Sequence, residues 1–336
     1  MKKRTFNAPG KLMLAGEYSV LGPGGVALAL AIEPGIDAVV EPSGRWELGR
    51  HGVSPDGPVR WVEGEAAVPG PLAYAHGALQ TALRRLGPLA PHRIETRLPT
   101  ALGHDPARKP GVGGSASATA VVAAAVHAIG GVDPALERDA VLDAALQAHH
   151  EVQGGGSGYD VATVVHGGLA CWDRERAALE PLPWPAALGF IAGYSGRSAR
   201  TRRQLAKLER VRTRYVDSVT AELTLLNREV HGLVAALRRG DPKEILERVR
   251  GSHRALARWD HRRGLGILTP AVERMIQIAE ESGAAAKVSG AGAGDSVIAL
   301  GAPDSLEAAA AAWRASGFEP LPVDLAAHGV REVRGQ

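Results

Sequence analysis

The stretch that decides the fold covers residues 109–120 and reads KPGVGGSASATA. An apolar run follows its glycines and ends at Gly130-Gly131, which predicts a buried helix over residues 115–129. The first turn of such a helix leaves backbone N–H groups unpaired, and glycines allow the chain to close around a phosphate. The stretch therefore predicts a phosphate-binding helix N-terminus, and a capped core helix after a loop is the alternative.

Two other glycine-rich nucleotide-binding motifs were considered as explanations of this stretch, and neither fits it. The Walker A string G-x-x-x-x-G-K-[ST] does not occur in the chain. The dinucleotide fingerprint matches formally at Gly111, Gly113 and Ala116, but Pro110 and a charged loop precede it where a buried strand should lie. We therefore interpret the stretch as a site for nucleotide phosphates rather than for a dinucleotide.

Three further segments combine glycine with polar side chains. Residues 8–18 read APGKLMLAGEY and predict a short strand that has Lys11 at its start. Residues 287–296 read KVSGAGAGDS and predict a loop between two strands whose N–H groups can line an anion site. Residues 153–162 read QGGGSGYDVA and contain Asp160, which is either a helix N-cap or a general base for phosphoryl transfer.

Composition and charge limit the class of protein. The chain has 336 residues, which predicts about two domains. The net charge is only +3 and does not point to nucleic acid as the main partner. The one cysteine, Cys171, excludes an intramolecular disulfide and a thiolate zinc cluster. Because no apolar run reaches the ~18–20 residues that span a bilayer and the N-terminus lacks a signal peptide, we expect a cytoplasmic protein.

The rest of the chain predicts mixed helices and strands. Within residues 25–40, two short strands are expected, one on each side of Pro34-Gly35, and residues 45–62 are expected to form a hairpin or loops. Further strands are expected at 93–98, 187–194, 284–288 and 296–300. Helices are expected at 72–86, from Asp133-Pro134 to about Gln153, as one long helix whose apolar face runs from Leu205 to Leu237, and at 306–316. A proline cluster at 181–185 predicts two domains, 1–184 and 185–336.

Together the segments resemble the GHMP kinase superfamily, which is named after galactokinase, homoserine kinase, mevalonate kinase and phosphomevalonate kinase. The three motifs occur in order as Pro9-Gly10-Lys11 with Gly16-Glu17, Gly111 to Ser117, and Ser289 to Asp295. Within the superfamily the chain most resembles the phosphomevalonate kinases, through residues 16–21, 153–162, 265–270 and 287–300. The resemblance implies an α+β GHMP fold that has an N-terminal domain like ribosomal protein S5 domain 2 and a ferredoxin-like C-terminal domain.

The resemblance also implies a reaction. It implies transfer of the γ-phosphoryl group of ATP, with Mg²⁺, to mevalonate 5-phosphate in isoprenoid precursor synthesis. Mevalonate kinase or another alcohol kinase of the fold stays open, and so does a nucleic-acid-binding protein that uses the basic stretch 197–214. If the protein is a kinase, the basic stretch is either the solvated face of a helix or a positively charged surface that attracts an anionic substrate. The leading interpretation expects a small anionic substrate, neither nucleic acid nor membrane, and a monomer or homodimer.

Carried over by position, the resemblance implies the site residues. Lys11 and Asp160 are expected at the acceptor, and Ser115 is expected to help hold Mg²⁺. The ATP phosphates are expected at Lys109, Gly111, Val112, Gly113, Gly114, Ser115, Ala116 and Ser117. Substrate contacts are expected at Glu17, Tyr18, Gln153, Ser157, Gly158, Arg197, Thr201, Ser289, Gly290, Ala291 and Gly292.

Two points of chemistry qualify these roles. His149 stands where mevalonate kinases carry the Glu that ligates Mg²⁺, which leaves the carboxylate ligand of the metal open. A phosphate acceptor is already largely ionised near neutral pH, because its second pKa is ~6. A base is then less necessary than for an alcohol, so we expect Lys11 to matter through charge neutralisation and Asp160 mainly to orient Lys11.

Overall fold

The computed structural model describes residues 3–54, 56–99, 110–197, 201–294 and 296–333, with the backbone alone at residues 201 and 202. Within these ranges the strands are β1 (Arg4–Ala15), β2 (Val26–Pro42), β3 (Glu47–His51), β4 (Val59–Val62), β5 (His92–Arg97), β6 (Leu169–Asp173), β7 (Ala178–Leu182), β8 (Gly189–Tyr194), β9 (Ala285–Ser289), β10 (Ser296–Gly301), β11 (Glu319–Leu321), β12 (Asp324–Leu325) and β13 (Arg331–Val333). The helices are α1 (Ala73–Leu86), α2 (Gly114–Ile129), α3 (Arg138–Gln153), α4 (Tyr159–His166), α5 (Thr201–Arg214), α6 (Val216–Arg239), α7 (Pro242–Arg263), α8 (Pro270–Glu281) and α9 (Pro303–Ala315). None of these described helices combines the length and the apolar character that a membrane crossing requires.

The strands form two sheets. The larger sheet has the order β13-β1-β2-β5-β3-β4, and β6 and β12 also pair with β2 while β7 pairs with β6. The smaller sheet has the order β11-β8-β10-β9 and is antiparallel. Residues 324–333 lie beyond the predicted boundary at 184, yet they pair with β1 and β2 of the first sheet.

Helix α2 is buried along almost its whole length, as predicted. Every residue from Ala116 to Ala128 is buried, and the small side chains of this helix let neighbouring elements approach closely. Its polar side chains find partners nearby: Thr119 Oγ1 donates to Ser115 O, and His127 Nδ1 lies 2.7 Å from Ala123 O. The helix can therefore cross the core without leaving these polar groups unpaired.

One predicted pair of strands is a single strand. Residues 26–42 pair with β1 along nearly their whole length, although Pro34-Gly35 predicted a turn. The two strands approach so closely there that a Cβ at Gly35 would lie 2.1 Å from Ala8 O. Pairing is restored beyond a register shift between Ala8 and Gly10, so the irregularity is absorbed as a bulge.

Two helix predictions were also wrong in their bounds. Helix α3 begins at Arg138, because Asp133 Oδ1 accepts from Ala135 N and closes a separate turn before it. The predicted long helix is two helices, α5 and α6, since Tyr215 leaves the helical conformation between them. The Arg263 guanidinium covers the Tyr215 ring at 4.9 Å. The predicted hairpin at 45–62, the helix at 72–86 and the paired strands at 284–288 and 296–300 are confirmed.

Candidate active site

A cavity of about 710 Å³ lies between elements of the larger sheet and elements of the smaller sheet. Strand β1, the N-terminus of α2 and the turn before α4 form one side of it, and the loop after β9 and the first turn of α5 form another. Because the lining runs from Lys11 to Ala291, a ligand in this cavity would contact residues that are far apart in the sequence.

Lys11 lies against the glycine loop that precedes α2. Its backbone N–H donates to Val112 O at 2.8 Å, and its Nζ donates to Gly111 O at 3.2 Å. A Cβ at Gly10 would lie 2.8 Å from Val112 O, so glycine is what permits this close approach. The ammonium group and the positive end of the α2 dipole therefore act on the same part of the cavity, which suits a polyanion.

Ser115, His149 and Asp160 lie side by side at the edge of this anion site. His149 Nε2 is 3.3 Å from Ser115 Oγ and 3.9 Å from Asp160 Oδ2, and the Tyr74 ring lies 5.0 Å from the His149 ring. Asp160 also accepts from Val161 N through Oδ1. One hydroxyl and one carboxylate, both of them hard oxygen donors, therefore lie 3.3 Å and 3.9 Å from the same imidazole nitrogen.

The donor set at this edge is small for a divalent cation. Within the described ranges, no group of three or more His, Cys, Asp or Glu side chains could hold a metal ion by itself. Mg²⁺ commonly takes only one or two carboxylates from the protein and its remaining ligands from phosphates and water. Ser115 and Asp160 therefore supply the kinds of oxygen donor that suit Mg²⁺ arriving with a nucleotide.

Tyr159 lies beneath the Lys11 ammonium, whose Nζ is 5.4 Å from the centre of the ring. Burial raises the pKa of the Tyr159 hydroxyl, and the positive charge of Lys11 opposes that rise. The phenol therefore stays neutral near physiological pH and contributes no negative charge to the anion site.

A buried ion pair links the chain just after β1 to β9 at the cavity. Lys287 Nζ in β9 donates to Glu17 Oε1, two residues beyond the end of β1, and it also donates to Val288 O. Lys287 is fully buried, and the Glu17 side chain is almost so. Nearby, Met13 N donates to Ser289 Oγ at 2.9 Å. These contacts hold the loop after β9 against the strand that carries Lys11.

Most of the predicted site residues meet at the cavity. Those that line it are Lys11, Glu17, Tyr18, Gly111, Val112, Gly113, Gly114, Ser115, Gln153, Ser157, Asp160, Ser289, Gly290 and Ala291. Those placed away from its lining are Ala116, Ser117, Gly158, Arg197 and Gly292. Lys109 and the side chain of Thr201 lie outside the described residues.

The residues placed away from the lining have specific surroundings. Ser117 is buried, and its hydroxyl donates to Pro9 O at 2.6 Å. Gly158 and Gly292 face other side chains, since a Cβ would lie 2.7 Å from Leu146 Cδ2 in the first case and 2.4 Å from Ile267 Cγ2 in the second. Arg197 is exposed.

Besides Tyr74 and Tyr159, two further polar residues of the cavity, Arg50 and Gln204, were not predicted as site residues. Arg50 in β3 donates to Pro71 O at 2.8 Å, and burial lowers the pKa of its guanidinium. Gln204 in the first turn of α5 is buried at the other side. No local motif marks either residue, because Arg50 reads as part of an ordinary strand and Gln204 as one of several polar residues near a helix start.

Comparison with known proteins agrees with this architecture. The family described as GHMP kinases N terminal domain matches residues 73–168, and the one described as GHMP kinases C terminal matches residues 233–319. A phosphomevalonate kinase from a Streptomyces species is 32% identical, over 96% of this chain and 97% of that protein. A mevalonate kinase from Archaeoglobus fulgidus is 26% identical, over 88% of this chain and 91% of that protein. The crystallised Streptococcus pneumoniae phosphomevalonate kinase, in complex with phosphomevalonate and AMPPNP, has a TM-score of 0.77 at 22% identity, over 97% of this chain and 100% of that chain.

Proposed function

The chain belongs to the GHMP kinases and is a phosphotransferase, and from this premise we propose that it transfers the γ-phosphoryl group of ATP to mevalonate 5-phosphate. The products are mevalonate 5-diphosphate and ADP. One observation carries the choice of acceptor: the likeness to the Streptomyces phosphomevalonate kinase extends over 96% of the chain. The Streptococcus pneumoniae enzyme of the same fold was solved with phosphomevalonate and AMPPNP, which supports ATP as the donor.

The geometry supports a division of labour among the residues of the cavity. The N–H groups at the start of α2 would hold the phosphates of ATP, beside the Lys11 ammonium. Ser115 and Asp160 would hold Mg²⁺, which when bound neutralises charge on the transferring phosphates. Lys11 would lie between the two anions, because it contacts both the α2 loop and Tyr159, the residue before Asp160.

Charge is the main obstacle to this reaction, since donor and acceptor are both phosphates. The attacking oxygen is largely ionised near neutral pH, because the second pKa of a phosphate monoester is ~6. Lys11 offsets the repulsion between the two anions and holds them in line. Asp160 then serves to orient cations rather than to remove a proton.

A second candidate acceptor is mevalonate itself. The Archaeoglobus fulgidus mevalonate kinase is also similar over most of the chain, at 26% identity. With an alcohol as acceptor, the hydroxyl proton must leave, and Asp160 would then act as the general base.

A paired measurement of ADP release tests the proposal. The purified protein is supplied with ATP and Mg²⁺ and with either mevalonate 5-phosphate or mevalonate, and Lys11→Met measures the background from contaminating kinases. We expect kcat/KM to be at least about 100-fold higher with mevalonate 5-phosphate. A preference for mevalonate would replace the proposed acceptor, and ADP release that neither acceptor stimulates would contradict both candidates.

A further inference from the structure

The turn at residues 154–158, between α3 and α4, consists almost entirely of glycine. Its sequence is GGGSG, and all of its glycines have positive φ angles. Glycine adopts many backbone conformations at similar cost, so such a sequence does not by itself fix the position of Ser157, the one residue of the turn that has a side chain. Ser157 nevertheless lines the cavity, and Asp160 follows in the first turn of α4. The turn therefore requires an anchor outside its own sequence.

Trp172 in β6 provides such an anchor. Its Nε1 donates to Ser157 O at 2.8 Å, and the residue is only 2% exposed. Strand β6 is paired with β2 on one side and with β7 on the other, so the indole is carried by a well-supported part of the larger sheet. The ring also lies next to Gly158, since a Cβ there would lie 3.7 Å from Trp172 Cζ2. A fixed donor thus meets the glycine turn at the residue that lines the cavity.

Helix α4, which carries Asp160, is held in a different way. Its residues Val161 to Val165 are buried, and Val330 N donates to Val164 O at 3.0 Å. Asp160 Oδ1 accepts from Val161 N at 3.0 Å within the first turn of the helix. Loss of the hydrogen bond from Trp172 would therefore release Ser157 without displacing Asp160.

We propose that Trp172 is a positioning residue, whose indole N–H holds Ser157 in place at the acceptor side of the cavity. The inference rests on the proposed function and on the expectation that the Ser157 side chain contacts the acceptor. Trp172 is not among the described residues that line the cavity, so it acts through Ser157 rather than on the substrate. Binding of the acceptor should depend on this hydrogen bond, whereas binding of ATP and the phosphoryl transfer itself should not.

Steady-state kinetics of Trp172→Phe test the assignment, because this variant removes the N–H and keeps an aromatic ring beside Gly158. We expect KM for mevalonate 5-phosphate to rise about 5- to 10-fold, as for the loss of one hydrogen bond. Both kcat and KM for ATP should stay within about 2-fold of the wild type. An unchanged KM for the acceptor would overturn the inference, and so would an equal rise in KM for ATP.

Trp313→Phe is the matched control for shortening a buried tryptophan. Trp313 in α9 is fully buried, and its Nε1 donates to Met275 O at 2.8 Å. The control therefore loses the same kind of hydrogen bond, but neither Trp313 nor Met275 is among the described residues of the cavity lining. Both variants should unfold at lower urea concentrations than the wild type, whereas KM for the acceptor should rise in Trp172→Phe alone. A similar rise in both variants would indicate a general loss of packing and would refute the assignment.

A double-mutant cycle tests whether Trp172 acts through Ser157. In the Ser157→Ala background, Trp172→Phe should change KM for the acceptor by less than about 2-fold. A further rise of about 5- to 10-fold in that background would mean that Trp172 acts elsewhere, and the assignment would fail. If Trp172→Phe does not fold, 3-benzothienylalanine at position 172 replaces it, because this analogue keeps the bicyclic ring and exchanges its N–H for sulfur.

The order of the turn can also be measured without any substrate. Cys171 is buried and burial raises the pKa of its thiol to about 11, so a nitroxide reagent should label the chain through Ser157→Cys. The nitroxide should be more mobile in Trp172→Phe than in the wild-type background and unchanged in Trp313→Phe; equal mobility in all three would contradict the inference. If mevalonate is the acceptor, the kinetic comparison is made with mevalonate, so failure of the proposed function is distinguishable from failure of this inference.

Discussion

Gly113 lies directly against the side chain of Lys11. A Cβ at Gly113 would lie 2.7 Å from Lys11 Cγ and 3.2 Å from Lys11 Cε, and Gly113 has a φ of 89° as the N-cap of α2. Glycine is thus required at position 113 for two reasons, the left-handed backbone conformation and the close contact with the Lys11 side chain. The position of the Lys11 ammonium in the anion site therefore depends on the lack of a side chain at Gly113.

Substitution of Gly113 should therefore affect both stability and turnover. We expect Gly113→Ala to lower the free energy of unfolding by about 1–3 kcal/mol, because alanine is strained at this φ, and to lower kcat by displacing Lys11. Urea unfolding and steady-state kinetics measure the two effects. Gly114→Ala is the matched control for stability, since a Cβ there meets nothing within 4 Å. Equal stability of the two variants would refute the argument.

The two serines of the α2 loop should behave differently. Ser115→Ala removes a hydroxyl at the edge of the anion site, and we expect it to raise the Mg²⁺ concentration for half-maximal ATP-analogue binding by about 10-fold. Ser117→Ala removes the buried hydroxyl that donates to Pro9 O, and we expect it to cost ~1 kcal/mol of stability without changing Mg²⁺ dependence. Calorimetric titration and thermal unfolding check the contrast, which a reversed pattern would exclude.

Lys11 and Asp160 should be unequal in catalysis if the acceptor is a phosphate. We expect Lys11→Met to lower kcat by on the order of 10³-fold, because it removes the charge that offsets repulsion between two anions. Asp160→Asn should cost much less, because no proton has to be removed. Single-turnover rates at saturating substrates make the comparison. Equal losses of about 10³-fold for both variants would indicate base catalysis by Asp160.

The ion pair between Glu17 and Lys287 should matter for stability. Lys287→Met leaves the Glu17 carboxylate buried without its partner, and we expect the free energy of unfolding to fall by about 3–5 kcal/mol. Adding Glu17→Gln in the same chain should recover part of this loss, since the unpaired charge is then gone. Urea unfolding of the single and double variants measures the recovery. If the double variant is less stable than Lys287→Met, the pair does not act in this way.

Stability should also depend on the protonation of His253. Burial lowers the pKa of His253 to about 4, and the positive charges of Lys287 and Arg254 add to that effect. Below pH ~6.5 the unfolded chain takes up a proton that the folded protein does not, so stability should fall from pH ~6.5 to ~4 by on the order of 2 kcal/mol. His253→Gln should flatten this part of the profile of unfolding free energy against pH. The exposed His261, changed to Gln, should leave the profile unchanged.

Much of the lining of the cavity was predictable because its signals are local. The glycine loop, the buried helix behind it and the residues Lys11 and Asp160 all lie in short segments whose composition is unusual. The three wrong element bounds also have local causes. Asp133 closes a turn with Ala135, Tyr215 leaves the helix under Arg263, and Gly35 allows two strands to remain paired. A periodic pattern of apolar residues does not reveal such side-chain contacts.

The amino-acid sequence by itself determined the α+β class and the order of the glycine motifs, and it predicted a phosphate-binding role for the α2 loop, because spacing and residue type express these properties within a few turns of chain. Only the tertiary structure decided that Lys287 pairs with Glu17 across 270 residues, that residues 324–333 return to the first sheet, and that Arg50 and Gln204 come to the same cavity. These relations depend on which distant surfaces pack together, and burial and pairing of that kind leave no periodic signal in the chain.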